Sequence, residues 1–217
     1  MADTAKTVSD VGPPEPRWPS ILALLAVGGL YLAMPSQLAP PGPSWLVLVV
    51  VLLLLVPSVV THRMGRSDWN HNLGLALSGL VTLALIWSVG RLIASLPDKS
   101  QSAGELLASA GSLWATNVLV FASWYWRLDA GGPHMREARG THAEGAFLFP
   151  QMTMKPAQKG WMPGFVDYLF LAFTTSTAFS PADTAPLTRW AKMLMMTQGA
   201  LSMSTIAVLA GRAVNSF

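Results

Sequence analysis

Between Trp45 and Val60 the chain is almost uninterrupted leucine and valine, interrupted only near its end by Pro57 and Ser58. A lipid bilayer offers backbone N–H and C=O groups no partners, so a segment like this must satisfy them internally, as a helix. Such a surface also suits lipid contact on several sides. Four more apolar stretches, 18–38, 73–96, 106–126 and 190–214, ask for the same solvent. Charged residues make up 12% of the chain, about half the ~25% usual in soluble domains. The sequence therefore predicts an all-α membrane protein with five to six transmembrane helices, and the lipid bilayer is its first partner.

The remaining segments follow from composition. Residues 1–17 are polar and proline-rich without apolar period, and predict a disordered tail. The first apolar run leads straight into a second, so it reads as a retained helix rather than a cleaved leader. Residues 18–126 form a four-helix transmembrane scaffold, with a tight hairpin at Ala39–Pro43. Gly74, Ser78 and Thr82 recur every fourth residue and predict a face that packs closely on a neighbouring helix. Arg91, near a helix end, is expected to snorkel to the headgroups. Trp124, Tyr125 and Trp126 predict an interfacial aromatic belt. Residues 127–163 are the only sizeable extramembrane piece and are too short and glycine-rich for a core of their own. They carry His134, His142 and Glu144, whose spacing fits no metal-ligand pattern, so a solvated loop without metal is expected; Asp68 and His71 read the same way. The absence of cysteine excludes disulfides and thiolate chemistry. No nucleophile with a base and an orienting group is evident. Neither an enzyme, a cofactor, a nucleic-acid partner nor a small-molecule ligand is predicted.

Residues 164–217 hold the most informative stretch. From Phe165 to Phe179 the run is apolar except for Asp167 and the cluster Thr174, Thr175, Ser176 and Thr177, and it ends at Ser180-Pro181. Fifteen helical residues reach only about 22 Å, short of a ~30 Å hydrocarbon core. The fifth segment is thus a half-helix, a tilted helix or a re-entrant loop. In the final helix Gln198, Ser202 and Thr205 make one polar stripe, expected to face Thr174–Thr177, and Ala207 with Gly211 make a small-residue pair suited to helix packing. Met193, Met195, Met196 and Met203 are expected to serve as adaptable packing.

At these residues the chain resembles the pore module of two-helix potassium channels. There a pore helix runs into T-V-G-Y-G-D, with a proline three and a lysine nine residues beyond the aspartate. Asp183, Pro186 and Lys192 have that spacing. Thr177, Ala178, Phe179, Ser180, Pro181 and Ala182 then occupy the filter positions, and both glycines are gone. The resemblance implies a degenerate module without the carbonyl ladder, so potassium selectivity is not expected. The same ending, D-Y-L-F-L-A-F-T from Asp167 followed by P-A-D-T from Pro181 and a last helix, also resembles a bacterial family of multi-pass membrane proteins with no assigned function. It implies the inner membrane.

Charge orients the chain. With six crossings and both termini inside, ten of the fourteen Lys and Arg residues face the cytoplasm, as the positive-inside rule requires. Re-entry from the cytoplasm satisfies the rule too; entry from outside violates it. Two functions remain open: a structural or interaction protein built on a pore-like module, and a cation permeation pathway in a homo-oligomer. The second would be lined by Thr174–Thr177, Ser180, Asp183 and the stripe on the last helix.

Overall fold

The computed structural model describes residues 15–43, 45–63, 67–95, 103–140, 142, 145–154, 161–177 and 183–215. Side chains of 58, 59, 61–63, 67–70, 103 and 212–215 are outside the description. The helices are α1 (Trp18–Ala33), α2 (Leu46–Arg63), α3 (Ser67–Ala94), α4 (Ala103–Leu128), α5 (Pro133–Arg139), α6 (Phe165–Thr177) and α7 (Arg189–Asn215). Of these, α3, α4 and α7 are long and apolar enough to cross a membrane, while α1 and α2 are apolar but shorter.

Helix α4 is the hub, packing against α1, α3, α6 and α7, and α2 joins through α1 and α3. Side chains that stay out of these contacts are largely apolar: Leu53, Leu83, Val166, Phe170, Met193 and Met196 are each exposed by 61% or more. A surface of that kind at every outer helix is what lipid accepts and water does not. The Gly74, Ser78, Thr82 face meets α4 as the sequence predicts: the Arg127 guanidinium lies against Gly74, and the Trp124 indole donates to Thr82 Oγ1 at 2.8 Å.

The aromatic triplet closing α4 departs from expectation. Tyr125 and Trp126 are buried rather than arranged as a lipid-facing belt, because their polar ends find protein partners: Tyr125 donates to Gln198 and Trp126 to Glu15. The chain then reverses over three consecutive positive-φ residues, Ala130, Gly131 and Gly132. At Gly132 a Cβ would come within 2.7 Å of the Arg127 carbonyl, so glycine serves both conformation and space. The reversal turns α5 back so that Arg136 donates to the carbonyls of Trp126 and Asp129 at 2.9 and 2.8 Å, closing the end of α4. Gly140, left-handed, ends α5 with its N–H on Arg136 and Glu137.

Nor is the 127–163 segment merely a solvated loop. Phe147 and Phe149 are buried and pack edge-on against Tyr125, Tyr168, Trp161 and Trp190. It lacks a core of its own and borrows one from the helix ends beneath it. A two-residue strand β1 (Phe147–Leu148) pairs antiparallel with β2 (Ala185–Pro186), and Leu187 N–H donates to the Ala146 carbonyl. The tail also ends sooner than expected: Glu15 and Arg17 are bound to this segment, and residues 1–14 lie outside the described residues. Ala207 and Gly211 are exposed and make no close helix contact, because α7 turns the Gln198 face inward instead. Of the four methionines only Met195 is buried in packing; Met193, Met196 and Met203 face outward.

Candidate functional site

The path of the last three long elements follows from their contacts. Phe165, at the start of α6, packs on Trp126 near the end of α4, while Phe173 packs on Trp114, so α6 runs antiparallel to α4. Trp190, at the start of α7, packs on Phe147, which packs on Tyr125; farther along, Ser202 meets Asn117. Helix α7 therefore also runs antiparallel to α4, and α6 and α7 start at the same end of the bundle. Between them the chain returns to that end, where β2 pairs with β1. At 1.5 Å per residue the thirteen residues of α6 span about 20 Å.

Two polar centres result. The inner one is built around Gln198, fully buried on α7. Its amide nitrogen donates to the Ala172 carbonyl at 2.7 Å and to Ser176 Oγ at 2.8 Å, and its oxygen accepts from Tyr125 at 2.5 Å. Asn117 Nδ2 donates to Ser202 Oγ at 2.8 Å and to the Gln198 carbonyl at 3.2 Å. The side chains Tyr125, Asn117, Ser176, Gln198 and Ser202 thus tie α4, α6 and α7 together.

The expected pairing of the α7 stripe with Thr174–Thr177 is met at one point only, Gln198 with Ser176. Ser202 turns to Asn117, and Thr205 donates to the Leu201 carbonyl of its own helix. Thr174, Thr175 and Thr177 likewise donate to carbonyls of α6 at Phe170, Leu171 and Phe173. Such back-bonding satisfies a hydroxyl without a neighbour. Asp183 is exposed, and Ser180 lies outside the described residues. Asn117 and Tyr125 were not anticipated; a lone asparagine within an apolar span was the available signal.

The outer centre lies at the end where α6 and α7 begin. Asp129 is fully buried and accepts from Tyr168 Oη and His142 Nε2, each at 2.6 Å, and from the Ala146 amide. His142, expected in a solvated loop, is thus a buried partner of Asp129; His134 is exposed, and Glu144 lies outside the described residues. His71 is half-buried and engaged, while the Asp68 side chain is not among those described. No group of residues suited to hold a metal occurs among the described residues.

Beside Asp129, Arg136 stacks 5.2 Å over the Tyr168 ring and reaches Glu15 Oε2 at 3.4 Å. Glu15 accepts from the Trp126 indole at 2.7 Å and from the Phe165 amide at 2.6 Å. Burial pushes its carboxyl above the usual carboxylate range despite the pull of Arg136 and these hydrogen bonds. Arg17 pairs with Glu137 at 2.8 Å. The first turn of α6 is closed further by Asp167, which accepts from the Gly164 amide at 2.8 Å. Apart from His142 Nδ1, which is buried without a partner, these groups satisfy one another, so the centre reads as a latch fixing the N-terminal segment, α5 and the start of α6.

Compared with protein-family models, with curated proteins and with solved structures, the chain matches none of them.

Proposed function

We propose that this chain is a multi-pass protein of the bacterial inner membrane with a structural or interaction role, built on a sealed, pore-like C-terminal module. Helices α1, α2, α3, α4 and α7 cross, and α6 is a half-helix that enters and returns on the cytoplasmic side. The observation that carries this reading is the common starting end of α6 and α7, joined by the β1–β2 pairing. A helix, a half-helix, a return and a second helix is the chain path implied by the resemblance to two-helix channels. Of the described Lys and Arg residues, Arg17, Arg63, Arg127, Arg136, Arg139, Arg189 and Lys192 fall at the end holding residues 15–17, and Arg91 and Arg212 at the other. The positive-inside rule assigns the end with that majority to the cytoplasm. The module is therefore inverted relative to a potassium channel.

Sealing is supported by where the polar atoms go. A permeation path needs hydroxyls and amides turned toward water, whereas Ser176 and Gln198 are buried and bonded to each other, and Ser202 is buried and bonded to Asn117 on α4. The outward face of α6 carries Val166, Phe170 and Phe173. Planar-bilayer recording on reconstituted protein tests this directly: no current above that of empty vesicles is expected in potassium or sodium. A unitary cation current that disappears in Gln198→Leu while the protein stays folded would establish the permeation reading instead.

A further inference from the structure

Hydroxyls on these helices follow one habit, and a few break it. Thr82, Ser109, Ser123, Thr197 and Ser204 each donate to the carbonyl four residues back. Ser78, buried to 1% exposure on α3, does not, and its Oγ has no partner. Its face is fixed by its neighbours one turn away on either side, Gly74 against Arg127 and Thr82 against Trp124. Ser78 therefore sits on the α4-facing stripe, about 6 Å along the helix from Gly74.

Arg127 is the charged group at this spot. Its side chain is more than nine-tenths buried, and Nε has no hydrogen-bond partner. Among the described residues no carboxylate pairs with it; its neighbours are the Trp126 ring, 5.4 Å away, and Arg17, close enough to repel it. Two other guanidiniums at this end are paired, Arg17 with Glu137 and Arg136 with Glu15. Gly74 makes the room: a Cβ there would lie 1.8 Å from Arg127 Nη1. Burying a charge without a counter-charge is costly, and an anion removes that cost.

We propose that the corner between α3 and α4 at Gly74, Ser78 and Arg127 is an oxyanion-binding site, with Arg127 supplying charge and Ser78 a hydroxyl donor. The ligand chemistry is a phosphate group, from a lipid headgroup or from solution. This site is separate from both polar centres described above and does not depend on whether the C-terminal module is sealed.

The test is thermal unfolding of the full-length protein in neutral detergent, titrated with inorganic phosphate against chloride at equal ionic strength. In parallel, the protein is placed in nanodiscs of phosphatidylcholine with and without phosphatidylglycerol. A ligand that binds only the folded state raises its unfolding temperature by mass action. A rise with phosphate in detergent identifies a soluble oxyanion, and a rise only with phosphatidylglycerol identifies a headgroup. In whichever arm responds, Ser78→Ala should raise the half-saturating concentration about tenfold, equivalent to ~1.4 kcal/mol. Arg127→Gln should abolish the response and, without anion, unfold no earlier than wild type. Should Arg127→Gln fail to fold, Ser78→Ala carries the test alone. The proposal is overturned if neither phosphate nor phosphatidylglycerol shifts the wild type, or if Ser78→Ala responds as the wild type does.

Discussion

Gln198 shows how much one amide can hold when it is placed where three helices meet. Its side chain satisfies Ser176 on α6 and Tyr125 on α4 while making no contact with solvent. Interhelical polar contacts in membranes average about 0.6 kcal/mol, but that figure describes pairs whose partners can find others. Replacing Gln198 with leucine strands the Tyr125 hydroxyl in a buried site, and an unsatisfied buried group costs roughly 1–3 kcal/mol. Gln198→Leu should therefore destabilise by about 2 kcal/mol in reversible unfolding from mixed micelles. In a Tyr125→Phe background the same substitution should cost less, and a double-mutant cycle reads the difference as coupling. Additive effects would show that the 2.5 Å contact contributes nothing. The Gln198 stripe was legible in the sequence because helical period alone aligns Gln198, Ser202 and Thr205. Its partners were not, since period says which face is polar and not which neighbour meets it. Tyr125 was concealed by its place between two tryptophans, where an interfacial belt was the natural expectation.

At the scale of elements, α6 is the one that cannot stand alone. Thirteen residues are marginal for an isolated helix, and its first turn begins with orphan N–H groups that must be answered. Two carboxylates answer them: Asp167 from within, on the Gly164 amide, and Glu15 from 150 residues earlier, on the Phe165 amide. Apolar runs announce helices, but nothing in residues 1–17 announces a cap for a helix so distant, and separations of 13 and 39 residues, with no regular period, hid the link of Asp129 to His142 and Tyr168. Deleting residues 1–17 should therefore speed amide exchange selectively in the first turn of α6, from Phe165 to Tyr168, while α7 keeps its protection. Point variants refine this. Because burial already raises the Glu15 carboxyl above the usual carboxylate range and so weakens the advantage of its charge, Glu15→Gln, which keeps an acceptor for Trp126 and Phe165, should cost less than about 1 kcal/mol. Glu15→Ala removes every acceptor and should cost roughly 2 kcal/mol, in the range for hydrogen bonds to charged groups. Equal effects of the two would mean that the segment is held by Arg17 and Glu137 alone.

For the whole molecule the decisive quantity is the number of crossings, since it fixes where the last residues emerge. Six crossings put both termini in the cytoplasm; five crossings with a returning α6 put the C-terminus outside. Length could not decide, because about 20 Å of helix serves a tilted span and a half-helix equally. Charge could not decide either, because Arg189, Lys192 and Arg212 trade sides without upsetting the majority. What distinguishes the two is contact: a crossing α6 would deliver residue 184 to the far end, beside Gln37 and Arg91, which hydrogen-bond to each other there. Instead Ala185 and Pro186 pair with Leu148 and Phe147, at the end where Glu15, Arg136 and Asp129 meet. The absence of native cysteine makes this measurable with single introduced thiols. Cysteines at 140 and 184 should both be labelled by an impermeant reagent from the cytoplasmic side only, and one added after Phe217 only from the periplasmic side. Reporter fusions after residues 68, 100, 145 and 217 should correspondingly read in, out, in and out. Opposite-side labelling at 140 and 184, together with a cytoplasmic C-terminus, would restore six crossings. It would then require the β1–β2 pairing to break in the membrane, because two strands paired at one end of the bundle cannot sit on opposite faces of a bilayer.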